Sequence, residues 1–386
     1  MLNRRYLRIK VMQTLFANWQ CRRSNYHLAL DHIKDTFQPD LNSMEPQDPV
    51  ELKENQQAAS ELFDKSYQQG TLAPAANYES VQKSAAVGAL NLYQQWVARD
   101  KQRLRKIMLE EAQSLHLRYL DFLLLLLALR KEAEQHAARA SRTTHLPDTN
   151  WQQNRVLKLI EENKALQTEA IRHGLGWDSE EDFTRQMYRE ILLQNESFQE
   201  YLGQESTTFE QDKQMVLHVI KKIFFKHEEV ASFMENRDLH WAENREILRS
   251  MVQRTAKDLE EGSPAEFELA VLSFNWEDDK EFFLDLFDKT LLHEEEYNQL
   301  IASRSRNWDV ERMALLDRII LSMALTEMIN FPSIPVKVTI NEYIELSKKY
   351  STPKSKTFVN GVLDVLSNEL LKSGQIRKSG RGLIDQ

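Results

Sequence analysis

The sequence predicts an almost entirely α-helical protein, and three observations support that prediction. Only 10 glycines and 9 prolines interrupt the 386 residues. The dominant residue types are Leu, Glu, Gln, Lys, Arg and Ala, which lose little conformational freedom on entering a helix. Apolar residues recur every three or four positions, as at Met215, Val219 and Ile223. Because 41% of the residues are hydrophobic, the chain can bury a sizeable core, and we expect two units at ~100–200 residues per domain.

The expected location is the cytoplasm. The single cysteine, Cys21, excludes an internal disulfide framework. No apolar signal segment stands out near the N-terminus, where charged residues interrupt the apolar ones. The most apolar run, Leu120 to Leu129, spans ten residues and includes Asp121. Since a bilayer-spanning helix needs ~20 apolar residues, we interpret this run as a buried core helix and predict no membrane partner.

Loop signals rich in Gly, Pro, Asn, Asp and Ser divide the chain into helical segments. The long middle, residues 25–255, contains no convincing internal repeat and is predicted to be a helical insertion or a second helical domain. Residues 373–386 are predicted to form a basic, flexible tail. The predicted loops lie at 38–49, 69–76, 141–150, 173–176 and 261–264.

A central helix is predicted from Met313 to Asn330, because its apolar residues cover most of the helix surface. Asn307 or Asp309 can cap its start. Asn330 is followed by Pro332 and a second proline three residues later, which ends the helix.

The segment from Ile334 to Ile340 is ambiguous, since its alternating apolar residues favour a short strand. Thr339 and Glu342, however, form a possible capping box, and helical spacing continues beyond them. We therefore predict a helix that starts within 335–340.

A basic loop, residues 348–356, leads into a last predicted helix from Ser355 to Leu371. Gly361 lies inside that helix at a cost of about 1 kcal/mol relative to alanine. Close approach of a neighbouring helix backbone would explain a glycine there.

Charge is segregated along the chain, although the net value is −9. Residues 1–23 contain six basic and no acidic side chains, and residues 331–382 contain nine basic and four acidic ones. Residues 257–300 contain fourteen acidic side chains and only three lysines. The basic ends favour an anionic partner, and the acidic stretch favours a basic one.

Signatures of catalysis are absent from the sequence. No glycine-rich phosphate-binding loop and no G-x-S-x-G motif occurs, and the runs that begin at His227 and His293 lack the second histidine of a zinc-protease helix. The adjacent Asp278 and Asp279 are expected on a solvated acidic face. We predict no enzymatic activity, no catalytic residue, no metal site and no cofactor.

The first helix, within Asn3 to Trp19, carries the clearest binding signal. Arg4, Arg5 and Arg8 fall on or beside one predicted exposed edge, and Phe16 is a nearby aromatic residue. Arginine binds phosphate bidentately and aromatic rings stack on unpaired bases, so this combination suits single-stranded RNA. The alternative interpretation is an ordinary amphipathic helix with a solvated basic face.

Four motifs together resemble the NusB family of transcription antitermination factors. The resemblance implies a helical bundle built from residues 1–20 and 275–372 and split by the long insertion. The motifs are R-R-Y-L-R-I-K-V-M-Q-T-L-F from Arg4, D-R-I-I-L-S-M-A-L-T-E-M-I from Asp317, P-V-K-V-T-I-N-E-Y-I-E-L-S-K-K-Y from Pro335 and F-V-N-G-V-L-D from Phe358.

The resemblance further implies binding to boxA-type RNA together with the ribosomal protein that acts as NusE, within the RNA polymerase antitermination complex. Such a factor also supports transcription of ribosomal RNA. Carried over by position, the RNA-binding residues are Arg4, Arg5, Arg8, Phe16, Lys354, Lys356, Phe358 and Asn360. The residues for the protein partner are Glu327, Asp278, Asp279 and Glu281.

Other interpretations remain open at this stage. Phe16 and Phe358 can be core residues rather than base-stacking ones. The whole protein can be a helical scaffold that binds proteins without RNA. A methyltransferase with a NusB-like RNA-binding domain ranks lowest, because residues 25–255 offer neither glycine-rich strand-to-helix turns nor a cysteine.

Overall fold

The computed structural model describes residues 2–40, 42, 46–139, 149–304 and 313–384, and these residues form helices and loops without a strand. The prediction of an all-α fold is therefore confirmed. A π-helical turn continues α7 over Met187–Leu192 and another continues α9 over Val219–Phe224. The α-helices are α1 Arg4–Thr36, α2 Pro49–Ser66, α3 Ser80–Arg139, α4 Thr149–Gln152, α5 Arg155–Glu162, α6 Lys164–His173, α7 Glu181–Gln186, α8 Glu196–Leu202, α9 Phe209–His218, α10 Glu228–Arg237, α11 Trp241–Asp258, α12 Trp276–Leu292, α13 Glu294–Arg304, α14 Leu315–Asn330, α15 Val336–Tyr350 and α16 Ser355–Lys372.

The chain divides into two compact units. The middle unit contains the described parts of 1–6 and 110–279, and the terminal unit contains those of 7–109 and 280–386. This division differs from the predicted boundaries, because residues 25–109 belong to the same unit as the C-terminal helices. Part of the predicted insertion is thus built into the terminal unit.

Helix α14 is the core helix of the terminal unit. Ile320, Met323 and Leu325 on this helix have no exposed surface, and α14 packs against α13, α15 and α16. The predicted central helix is confirmed, although it begins at Leu315 rather than Met313. The predicted cap residues, within 305–312, lie outside the described residues.

The ambiguous segment after α14 is helical, because α15 starts at Val336, within the predicted range. The predicted capping box is wrong, since Pro335 is the N-cap residue and makes no side-chain cap. Thr339 is instead fully buried and donates a hydrogen bond to Glu327. The Thr339 amide donates to the Pro335 carbonyl at 3.1 Å, so Thr339 lies inside the first turn of the helix and not at its cap.

Helix α16 closely matches its predicted span. The predicted reason for Gly361 is wrong, because a Cβ atom at that position would meet no atom within 4 Å. Gly361 is exposed, so packing does not require a glycine there.

The N-terminal part of the terminal unit has its own apolar cluster. The second half of α1, helix α2 and the first half of α3 bury mostly small and aromatic side chains against one another. The buried members are Ala29, Ile33, Phe37, Ala59, Leu62, Phe63, Ala73, Ala85, Ala86, Ala89, Leu90 and Tyr93.

The basic segment after α16, predicted as a flexible tail, is held against the unit over residues 373–384. Ile376 is only 4% exposed. The Lys378 ammonium donates to the Phe331 carbonyl at 2.9 Å, and the Ser379 amide donates to the Pro332 carbonyl at 3.0 Å. These contacts join the segment to the loop that follows α14.

The second half of α3 supplies core to the middle unit. Leu120, Leu123, Leu126 and Leu129 have no exposed surface, as the sequence predicted for this run. By length and composition alone, the segment Ser80–Ala138 of α3 could cross a membrane, but half of its most apolar window is buried inside the protein. Core helices of soluble proteins have this same composition, so the segment is weak evidence for a membrane span.

Candidate nucleic-acid interface

Arg8 and Glu327 form a buried ion pair that joins α1 to α14. The Arg8 Nε atom lies 2.7 Å from Glu327 Oε2, and Nη2 lies 2.7 Å from Oε1. The side chains are 4% and 0% exposed. The prediction that Arg8 lies on an exposed edge is therefore wrong, and Glu327 does not present its charge to a partner protein from this position. Both residues fix α1 against the core of the bundle.

Two hydroxyl groups complete the environment of the Glu327 carboxylate. Thr339 Oγ1 donates to Oε1 at 2.8 Å, and the Tyr343 hydroxyl donates to Oε2 at 3.1 Å. Burial by itself lowers the pKa of the Arg8 guanidinium, but the charge and hydrogen bonds of Glu327 outweigh that effect and raise it above its ordinary value. Burial and the nearby carboxylate also raise the pKa of Tyr343 well above its ordinary value. The tyrosine therefore remains a protonated donor.

In the middle unit, Arg4 is paired with the acidic residues at the start of α12. Its Nη2 atom lies 2.6 Å from Asp278 Oδ2, and its Nε atom lies 3.6 Å from Asp279 Oδ1. The side chains of Arg4 and Asp278 are 34% and 57% exposed. A predicted RNA residue and two predicted protein-partner residues thus lie together. Arg5 is exposed, whereas Tyr6 is buried and donates to Asn244 at 2.8 Å.

In the terminal unit, the start of α16 presents positive charge to solvent. Lys354 is the N-cap residue and makes no side-chain cap, and both Lys354 and Lys356 are exposed. The first turn contains no acidic residue. Ser355 is buried, and its hydroxyl donates to Asp317 Oδ2 on α14 at 2.7 Å, which fixes the helix start to the core. Phe358 is half-buried one turn into the helix.

This helix start is suited to an anion. The first amide groups of an α-helix have no partner within the helix and carry the positive end of the helix dipole. Lysine side chains oppose that dipole, so their presence here is unfavourable unless an anion neutralises both. A phosphate group could accept hydrogen bonds from the amides and from Lys354 or Lys356 together.

The remaining predicted residues occupy separate helices of the terminal unit. Asn360 is half-buried on α16 and donates to Asp364 at 3.3 Å. Phe16 is half-buried on α1, and Glu281 is exposed on α12. The sequence did not reveal the Arg8–Glu327 pair. The available signal was a charged residue that lies among apolar residues in each of the two helices.

The fold and these surfaces define an all-α bundle protein whose last long helix opens with exposed lysines. Residues 244–368 match the family model described as the NusB family. The chain is 45% identical over 105 residues to the transcription antitermination protein NusB of Salinibacter ruber, which covers 27% of this chain and 66% of that relative. It is 42% identical over 112 residues to the NusB protein of Desulforapulum autotrophicum, which covers 28% of this chain and 78% of that relative. The chain belongs to the NusB family.

A third relative, the NusB protein of Chloroherpeton thalassium, is 41% identical over 106 residues, with 28% of this chain and 50% of that protein covered. The chain thus spans between half and about two thirds of the length of two of these curated relatives. No solved structure matches the chain.

Proposed function

We propose that this protein is a non-enzymatic, cytoplasmic transcription antitermination factor that binds boxA-type single-stranded RNA together with the ribosomal protein NusE. The observation that most supports this proposal is the lysine-rich start of α16, which lies inside the region that matches the NusB family. The factor is proposed to act within the RNA polymerase antitermination complex. It is also proposed to support transcription of ribosomal RNA.

The proposed RNA contacts in the terminal unit are Lys354, Lys356, Phe358, Asn360 and Phe16. The lysines neutralise phosphate charge, and the phenylalanine rings supply faces for unpaired bases. Both rings are only half-buried, so part of each is accessible.

Arg4 and Arg5 are the proposed RNA contacts in the middle unit. Arg4 must exchange its contact with Asp278 for a phosphate. Because the two side chains are 34% and 57% exposed, the pair is worth only ~0–1 kcal/mol, and a phosphate can replace the carboxylate at little cost.

The acidic residues Asp278, Asp279 and Glu281 are the proposed contacts for the basic partner protein. Release of Asp278 from Arg4 when RNA binds would leave that carboxylate for the partner. Binding of RNA and of NusE is then mutually favourable, and each ligand raises the affinity for the other by the same factor.

The test is fluorescence anisotropy of a labelled boxA-like RNA, with and without NusE, at two salt concentrations. We expect the RNA affinity to rise with NusE and to fall with salt. The variant that combines Lys354→Ala and Lys356→Ala should reduce the salt dependence by roughly 0.7 per lost phosphate contact. Lys372→Ala is the matched control, because Lys372 is an exposed lysine at the opposite end of α16.

An equal loss of affinity in the Lys372→Ala variant would show that only overall charge matters. Binding of NusE without any RNA binding would instead favour a protein-binding scaffold. Unchanged affinity in the double lysine variant would refute the assignment of the α16 start.

A further inference from the structure

The terminal unit contains a groove that the proposed function does not use. Its volume is about 1000 Å³. It is lined by the middle of α1, the segment that connects α2 to α3, the following part of α3, the α12–α13 corner and the start of α14. Most of these elements lie outside residues 244–368, which match the family. The groove is therefore largely a product of this chain's own additional residues.

Aromatic rings form one side of the groove. Trp19, Tyr26 and Tyr67 line it and are half-buried, so each has an accessible part. The ring centroids of Tyr26 and Tyr67 are 4.8 Å apart, and Tyr93 meets Tyr67 edge to face at 5.8 Å. The Tyr26 hydroxyl donates to Asp64 at 2.5 Å, which fixes the orientation of its ring. These rings are stacking surfaces already held in place.

The groove is basic, although the chain as a whole is acidic. Its lining contains four basic side chains and two acidic ones, against a net charge of −9 for the chain. Of the two acidic side chains, Glu294 forms an ion pair with Arg22, in which Oε2 lies 2.5 Å from Nη1. Arg23 is exposed and lies with its guanidinium carbon 5.8 Å from the Trp19 ring centroid. The other two basic residues are Lys101 and Arg318.

Two asparagine side chains bring amide groups to the lining. Asn18 is 3% exposed. The Oδ1 atom of Asn298 is buried and has no hydrogen-bond partner among the residues that the structure describes. Buried amide oxygens are nearly always hydrogen-bonded, so this atom is available to accept a hydrogen bond from a bound ligand or a water molecule.

We propose that this groove binds unpaired nucleotides of single-stranded RNA. The rings would stack on bases, Arg23 and Lys101 would neutralise phosphates, and the Asn18 and Asn298 amides would pair with a base edge. An acidic peptide would satisfy the cations and its backbone would pair with the two amides, but it carries no planar bases for the stacking faces. This site is separate from the α16 surface and needs neither a boxA sequence nor NusE.

The test uses the full chain and a short labelled oligouridine without boxA sequence, followed by fluorescence anisotropy at two salt concentrations. Arg23→Ala should weaken binding by about three- to tenfold and lower the salt dependence by roughly 0.7. Lys34→Ala is the matched control, since Lys34 is an exposed basic residue on the same helix and outside the groove. It should change affinity less than about twofold. Equal effects of the two substitutions would overturn the proposal.

Photocrosslinking of an oligouridine that contains 4-thiouridine locates the bound base. Crosslinks to peptides that contain Trp19 or Tyr67 are expected, and they should persist in the variant that combines Lys354→Ala and Lys356→Ala. Persistence there would separate this site from the proposed boxA surface. Crosslinks confined to the peptide around Phe358 would overturn the proposal that the groove is the binding site. Uridine monophosphate that competes as well as the oligomer would overturn RNA as the ligand in favour of a free nucleotide.

Discussion

Replacement of Glu327 by Gln tests whether the Arg8–Glu327 pair holds the terminal unit together. The carboxylate accepts four hydrogen bonds, two from Arg8, one from Thr339 and one from Tyr343. Glutamine keeps the volume but offers one oxygen, so its NH₂ group must face two of those donors. A buried donor without an acceptor costs ~1–3 kcal/mol, and the Arg8 charge would keep only Glu342, whose Oε2 atom lies 3.6 Å from Arg8 Nη1.

We therefore expect Glu327→Gln to lower the unfolding free energy by ~3–5 kcal/mol. For a cooperative unit of this size, that loss corresponds to a Tm decrease of ~6–20 °C. Circular dichroism of the full chain at increasing temperature measures it. The double variant Arg8→Met with Glu327→Leu should lose less than the sum of the single substitutions, because neither charge is left buried alone.

An exposed pair on α12 supplies the control. The Lys289 Nζ atom lies 2.7 Å from Asp285 Oδ2, but the two side chains are 35% and 40% exposed. Asp285→Asn should cost only ~0.5 kcal/mol. A Tm for Glu327→Gln within ~2 °C of the unmodified protein would refute the argument that this pair stabilises the bundle.

Two further substitutions test single positions. Gly361→Ala should raise the unfolding free energy by ~0.5–1 kcal/mol, because the added methyl group meets nothing within 4 Å and alanine has the higher helix propensity; denaturant titration that shows no gain would contradict this. Asp121 has its pKa raised from 3.8 to about 6 by burial, partly offset by Arg237. Relative to Asp121→Asn, the protonated Asp121 side chain contributes fully to the unfolding free energy below about pH 4. This contribution decreases by ~2–3 kcal/mol as the pH rises through about 6. Unfolding free energies of both proteins across this range measure the difference, and parallel curves would contradict the burial of this carboxyl.

Periodicity in the sequence predicted the positions of the helices, because the buried face of each helix consists of apolar residues spaced three or four positions apart. The span of α16 and the burial of the Leu120–Leu129 run followed from that pattern alone. The burial of Arg8 did not, since its partner is 319 residues away and a basic residue between apolar ones equally suits an exposed edge. The capping box at Thr339 failed for a different reason, because α15 begins at Val336, about one turn before the position that such a cap requires.

The groove in the terminal unit could not be predicted from local patterns either. Arg22 and Arg23 were visible as basic residues of the first segment. Their relation to Tyr67 and Lys101 depends on how α2 and α3 fold back on α1. The informative local signal was a tryptophan followed closely by two arginines, which is weak without that packing.

The separation of 319 residues between Arg8 and Glu327 also constrains the order of events on the ribosome. At ~5–20 residues per second, Arg8 is synthesised about 15–60 seconds before Glu327. The buried members of the apolar cluster of α1, α2 and α3 lie within residues 29–93, so the cluster can form early. The C-terminal half of α1 is then already packed in the cluster. Arg8, near the other end of this helix, stays exposed to solvent until Glu327 has been synthesised.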